Sequence, residues 1–383
     1  MKRSTDRILV THVGSLARPD DLWKMLNAKL EGQPYAQEAF ANRLRSAVTE
    51  VVRQQVDCGI DIVNDGELGK TNFSRYARER LSGFIELPAK PDFQPTMIFG
   101  RDLKDFPEFF DLGKASRGLH TRVFSCNAPL KYIGQSALQS DMENFKMALQ
   151  GVNVEEAFLP AVAPGTMEHW LKNDYYPNDE AYLIAIADAM HEEYKAIVDA
   201  GFILQIDDPD LPDAWQMYPH MDLAEYRKYA GLRVDAIIHA LRGIPPERVR
   251  LHVCWGSYHG PHKYDIPLRD IVDLILKIPV GAYSLEAANP RHEHEWQVWE
   301  DVKLPEEKLL IPGVVSHIHN MVEHPELVAQ RLVRFAKVVG RENIIAGTDC
   351  GLGTRVGHPK IAWAKFEAMA EGARLATKQL WGR

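Results

Sequence analysis

Short apolar runs rich in β-branched residues recur along the whole chain, each separated from the next by a longer stretch whose apolar residues return at helical spacing. ILVTHVG (8–14) precedes AFANRLRSAVTEVVRQQVDCG, which leads into DIVNDGE (61–67), the strand–helix–strand order of a parallel sheet. The runs EEAFLPAVA (155–163), FILQIDD (202–208), VRLHVC (249–254), AYSLEAA (282–288), LLIPGVVS (309–316) and NIIAGTD (343–349) continue the pattern. Helical stretches such as NDEAYLIAIADAMHEEYKAIVDAG and HPELVAQRLVRFAKVVG lie between them. An open doubly wound sheet uses the same alternation but gathers its polar strand ends about one switch point. Here the polar ends are spread over nearly the whole chain, which predicts a (β/α)8 barrel with its site at the C-terminal mouth.

The 383 residues, 45% of them hydrophobic, are enough to bury one large core. Residues 71–150, including KPDFQPTMIFGRDLKDFPEFFDL, fit no simple unit and are expected to form an excursion with a hairpin packed on the barrel. With no internal repeat, low-complexity tract or linker, a single domain over 1–383 is expected. A net charge of −8 with Lys and Arg scattered argues against nucleic-acid binding. No signal-peptide core and no run approaching the ~18 apolar residues of a membrane span is present, so a cytoplasmic protein without a membrane partner is expected. Four widely spaced cysteines in a chain of this size read as thiols or metal ligands in a reducing compartment rather than as disulfide staples.

Read together, the strand ends assemble a donor set. LHVCWG places His252 and Cys254 two apart, hence on the same side of an extended chain. Alone this pair reads as well as core, since a free cysteine is usually a small buried hydrophobe. SLEAANPR adds Glu286 and TDCG adds Cys350. One imidazole, two thiolates and one carboxylate suit a tetrahedral zinc site, and ligands drawn from three distant strands favour a catalytic over a structural role. At other strand ends stand Glu67, Asp207 and Asp208. Helix capping accounts for Asp208, while two carboxylates aimed into one mouth, Glu67 and Asp207, suit a substrate ammonium.

In order along the chain, VGSLARP, NDGE, APGTMEHW, QIDDP, HVC, SLEAANPR, IPGVVSHIH and TDCGLGTR resemble the C-terminal catalytic barrel of cobalamin-independent methionine synthase. The resemblance implies a methyltransferase that uses Zn2+ to pass a methyl group from a methylated folate to the thiol of homocysteine, with the metal on His252, Cys254, Glu286 and Cys350. It further implies Ser15, Glu67 and Asp207 at the amino-acid end of homocysteine and Trp170 near the folate pterin, a residue that reads equally as a packing aromatic at the barrel. Metal binding makes chemical sense, because a free thiol of pKa ~8.5 is only slightly ionised at neutral pH.

The chain also departs from that family. The synthases carry a histidine in the segment matching GVVSHIHN, and here the match falls on His317 or His319, of which His317 is the favoured candidate for a proton donor. EAANPRHEHEW brings Arg291, His292 and His294 where the synthases have a short hydroxyl-rich turn. These read as exposed polar loop, or, for Arg291, as an anion or altered-substrate contact. Full-length synthases have an additional N-terminal barrel that helps hold the folate tail, and the absence of a counterpart leaves the methyl donor open. Three further readings stand beside methionine synthesis: the same zinc–thiol chemistry on another thiol or alkyl donor, as in epoxyalkane:coenzyme M transferases; a metal-free decarboxylase of the uroporphyrinogen type, against which the HxC and DCG residues count; and a non-catalytic zinc- or thiol-binding module. Oligomeric state, including a homo-oligomer, is open.

Overall fold

The computed structural model describes residues 1–87, 100–111 and 123–382. Eight parallel strands form the central sheet: β1 (Leu9–Val10), β2 (Ile62–Val63), β3 (Glu156–Val162), β4 (Ile203–Asp207), β5 (Val249–Val253), β6 (Ala282–Leu285), β7 (Leu309–Val315) and β8 (Ile345–Thr348). Each pairs with its successor from β2 to β8, β8 pairs with β1, and a parallel bridge from Thr11 to Ile62 closes the ring. The expected (β/α)8 barrel is present, and all eight strands lie within the predicted runs. Among the described residues no helix is long and apolar enough to cross a membrane.

Helices alternate with the strands on the outside. Those with a long amphipathic pattern, such as Gln37–Asp57, Asp179–Asp199, Leu223–Ala240 and Pro359–Trp381, bury one face against the sheet. Their starts are specified locally: Asn178 caps through its side chain, and Asp222 with Glu225 forms a reciprocal capping box. After β5 and β6 the helices shrink to Val272–Ile275 and Val298–Asp301, so the chain there is mostly loop.

The barrel interior is layered. Leu9, Ile62, Phe158, Ile203, Ala282, Leu309, Ile311 and Ile345 form an apolar plug. A polar layer adjoins it: the Arg250 guanidinium, 3.5 Å from the Phe158 ring centre, donates to Gln205 Oε1 at 2.7 Å, Thr11 Oγ1 at 3.0 Å and the His12 carbonyl at 2.7 Å. Gln205 in turn donates to Asp207 Oδ1 at 2.7 Å. A buried charge is tolerated only with such partners, and this one links the barrel wall to a carboxylate at the mouth. Register sets Asp207 beside His252 and His252 beside Ser284 across β4, β5 and β6.

The expected excursion over 71–150 is corrected in its extent. A hairpin is present, Phe84–Leu87 antiparallel to Val123–Cys126, but a third strand, Leu171–Asn173, joins it from outside the predicted span. Those three residues are too few to show alternation. At the other end, Gln135–Ala148 is the barrel's own crossover helix between β2 and β3, with Leu138, Met142 and Phe145 buried. Much of KPDFQPTMIFGRDLKDFPEFFDL lies outside the described residues; its described part holds two short helices, Gly100–Asp105 and Pro107–Asp111. Arg101 ties the first to the helix Asp210–Met217 and the turn after it by donating to the Trp215 carbonyl at 2.6 Å and the Met221 carbonyl at 2.7 Å.

Candidate metal centre and acceptor site

Because side chains alternate along a strand, His252 on β5 and Cys254 just past it face the same way, and Cys350 arrives from the end of β8. The ligating atoms of these three lie within 4.8 Å of one another, and the two Sγ atoms are 3.7 Å apart as free thiols. His252 Nδ1 meets Ser284 Oγ at 3.2 Å, and its buried Nε2 has no hydrogen-bond partner among the described residues. Glu286, one residue past β6, is not within that close group but is buried beside it. Its Oε2 accepts from Asn289 Nδ2 at 2.5 Å, while Oε1 has no hydrogen bond and lies 4.0 Å from His317 Nδ1.

Packed together, these groups perturb one another. The hydrogen bond from Cys254, with His252 and His317 nearby, holds the Cys350 thiol well below its ordinary range, and the same contact pushes Cys254 up. Burial, then the neighbouring Asp349 and Cys350, drives the Glu286 carboxyl well up. An unpartnered buried imidazole nitrogen, two adjacent thiols and an orphaned carboxylate oxygen are what a soft divalent cation would satisfy, so the residues present fit zinc.

The surrounding chain is shaped to permit this convergence. Register shifts between Gly313 and Val315 on β7, and a side chain at Gly313 would collide with Asp349. Asp349 Oδ1 accepts from the Ala287 and Ala288 amides, both at 2.8 Å, stitching the β8 end to the β6 end. A Cβ at Gly351 would stand 2.8 Å from Ser15 Cβ, and one at Gly353 2.7 Å from Ser15 Oγ. The CGLG loop can therefore close on the VGS loop only as glycine.

Next to this centre lie the residues expected at an amino-acid end. Ser15 is part-exposed, and Glu67 and Asp207 are buried. Glu67 adopts φ +54°, a left-handed conformation rare for a residue with a side chain. Gly14, at φ +141°, leaves room for it, since a Cβ there would be 3.0 Å from Glu67 Oε1. Burial pushes the Asp207 carboxyl up to about 7; the Glu67 charge adds to this and His252 opposes it. Lys70, which sequence reasoning missed, is buried with Nζ 3.8 Å from Glu67 Oε2. Asp208 accepts from Thr166 Oγ1 at 3.3 Å and from the Leu211 amide, as a helix-start residue does.

Of the two candidate proton donors, His317 is fully buried, next to Glu286 and Cys350, with no hydrogen-bond partner for either ring nitrogen among the described residues. His319 sits further out, its Nε2 3.7 Å from Glu323 Oε1. Trp170 ends the helix Pro164–Trp170, donates to Asp210 and packs with Phe110 and Met217. Arg291 and His294 are exposed, as expected for a polar loop. His292 is not: it is buried, stacked on Trp255 with ring centres 3.9 Å apart, with Nδ1 2.8 Å from Glu295 and Nε2 3.1 Å from Asp265. Its charge is matched by two carboxylates from separate turns, so a local exposed-loop reading could not find it.

Residues 136–374 match the family described as cobalamin-independent synthase, catalytic domain. The methionine synthase of Thermococcus kodakarensis is 27% identical over 370 residues, covering 96% of this chain and 93% of that protein. That of Saccharolobus islandicus is 23% identical, covering 97% and 95%. In fold, the chain is similar to a B12-independent methionine synthase from Shewanella sp. W3-18-1 solved in complex with selenomethionine, with a TM-score of 0.74 at 19% identity over 98% of this chain and 100% of that one. A second likeness, to a solved structure from Listeria monocytogenes, has a TM-score of 0.65 at 16% identity over 96% of this chain and 98% of that one. With that match running through most of a barrel whose mouth carries the HxC and DCG residues, the chain belongs to the family of cobalamin-independent synthase catalytic domains.

Proposed function

We propose that this protein is a zinc-dependent methyltransferase that transfers a methyl group to the sulfur of homocysteine, giving methionine. The observation that carries this is the convergence of His252, Cys254 and Cys350 within 4.8 Å at the barrel mouth, beside buried oxygens and nitrogens with no hydrogen-bond partner among the described residues. Glu286 is the fourth candidate ligand, through its free Oε1. Bound there, zinc supplies the charge that keeps an acceptor thiol ionised at neutral pH.

The chain's own residues do the rest. Glu67 and Asp207 take the acceptor's ammonium, and Ser15, on the loop closed by Gly351 and Gly353, contacts its amino-acid end. Held this way, the sulfur is aimed rather than merely bound, which is where most of the rate gain from proximity arises. His317 is placed to hold a proton for the departing donor atom, since a tertiary amine of a methylated folate leaves only when protonated. Trp170 lies on the donor side, and Arg291 on the rim offers a contact for an anionic donor; a methylated folate fits both, and another methyl donor fits the metal centre equally. We read the chain as one domain over 1–383, acting in the cytoplasm on small molecules without nucleic acid or membrane.

The test is metal analysis of purified protein followed by X-ray absorption with homocysteine or coenzyme M added. Zinc near one equivalent, gaining a sulfur neighbour with homocysteine alone, is the expected result. A response to coenzyme M alone moves the protein to epoxide-opening chemistry, and no response to either thiol makes the metal structural. Cys350→Ala should lower bound zinc below about a tenth of wild type while the barrel stays folded.

A further inference from the structure

The turn that carries Glu67 is built more rigidly than a loop needs. Arg18 reaches into it with three hydrogen bonds, to the carbonyls of Glu67 at 2.7 Å, Leu68 at 3.3 Å and Lys70 at 2.6 Å. Asn64 and Asp65 side chains accept from the Gly66 and Glu67 amides, each at 2.9 Å. The outcome is a left-handed Glu67, a strained conformation that persists only where its surroundings over-determine it, and such residues gather at ligand clamps.

The same turn sends Lys70 back underneath Glu67. Its Nζ donates to the Pro160 carbonyl on β3, sits 4.2 Å from the ring centre of Tyr76 and is 3.8 Å from Glu67 Oε2. Tyr76 is itself fixed, donating to Glu193 at 3.0 Å and accepting from the Val162 amide at 3.1 Å. Lys70 is thus a buried cation tied to the barrel wall, restraining one oxygen of Glu67 while the other faces the Gly14–Ser15 loop. Glu67 keeps its other oxygen for a ligand, and Asp207, held by Gln205 at 2.7 Å, adds a second carboxyl, so an α-ammonium finds two acceptors here.

We infer that Lys70 is a positioning residue for the acceptor's amino-acid end: it holds Glu67 in the geometry that selects thiols bearing an α-ammonium over thiols without one. This rests on the homocysteine reading above. The buried pair differs from a surface salt bridge in that removing one member leaves the other charged, buried and free to turn away.

Calorimetric binding of homocysteine and of 4-mercaptobutyrate, its analogue lacking the amino group, to zinc-loaded protein separates the two ideas. Wild type is expected to prefer homocysteine. Lys70→Met should shrink that preference roughly tenfold or more by weakening homocysteine alone, the size of one charge-assisted contact. In turnover, KM for homocysteine should rise with kcat little changed, Lys70→Arg should restore most of the preference, and adding Lys70→Met to Glu67→Gln should change nothing further. If Lys70→Met does not fold, Lys70→Gln removes the charge while keeping an amide donor on a side chain one atom shorter. An unchanged or larger preference, or equal weakening of both thiols, overturns the assignment of Lys70 while leaving the homocysteine reading intact. A wild type that binds both thiols alike overturns that reading, and the role of Lys70 falls with it.

Discussion

His317 and His319 are two residues apart on one segment, yet the barrel treats them differently. The first is enclosed beside Glu286 with no hydrogen-bond partner among the described residues, and the second leans outward toward Glu323. A group that moves a proton in the reaction should be costly to remove. His317→Asn is therefore expected to lower kcat by roughly 100-fold or more, and His319→Asn to leave it within about threefold, by steady-state assay with homocysteine. Equal losses would show that the burial of His317 has no catalytic meaning. Residues whose meaning is local to a strand, such as His252 and Cys254 at period two, were legible in the sequence together with the strand-end acids. Lys70 was not, because its role depends on a turn folding back onto Pro160, ninety residues further along the chain.

At the scale of elements, the loops after β5 and β6 carry Cys254 and Glu286 and have only short helices to hold them. A buried ladder does that work. His262 Nδ1 meets Asp265 at 2.9 Å and its Nε2 faces the Tyr258 carbonyl at 3.1 Å; His292 spans Asp265 and Glu295, and Glu295 accepts from the Leu268 amide at 2.7 Å. Both rings face only acceptors, so both must donate from each nitrogen, which only the imidazolium can do. Burial opposes the charge, but hydrogen bonds to Asp265, and for His292 also to Glu295, outweigh it and raise both histidines above the ordinary 6.5. A raised folded-state value means that the stabilisation is complete below that ordinary value and fades as pH climbs through the raised one. The melting temperature should accordingly fall on the alkaline side, and His292→Gln should flatten that fall while lowering stability at pH 6; an unchanged pH profile for the variant would falsify the ladder. Sequence patterning found the strands of this region but not the ladder, since it joins side chains from two loops of no regular period.

For the whole molecule, closure of the barrel was readable because parallel strands need crossovers and the polar strand ends were spread along the chain. The side sheet was only half readable, its third strand being too short to leave a pattern. Closure also brings two sulfurs together from strands β5 and β8, Cys254 and Cys350, at 3.7 Å and both reduced. A disulfide needs a separation of about 2.05 Å, a small further approach for two loop-borne side chains. Stripped of metal, the centre is then a vicinal dithiol, and a mild oxidant such as diamide should convert it to a disulfide by taking one hydrogen from each sulfur. Thiol titration should then lose two of the four cysteines in chelated protein and none in zinc-loaded protein, with dithiothreitol restoring both. The reach that would let distant strands share one ion would thus also leave the metal-free protein sensitive to the reducing power around it.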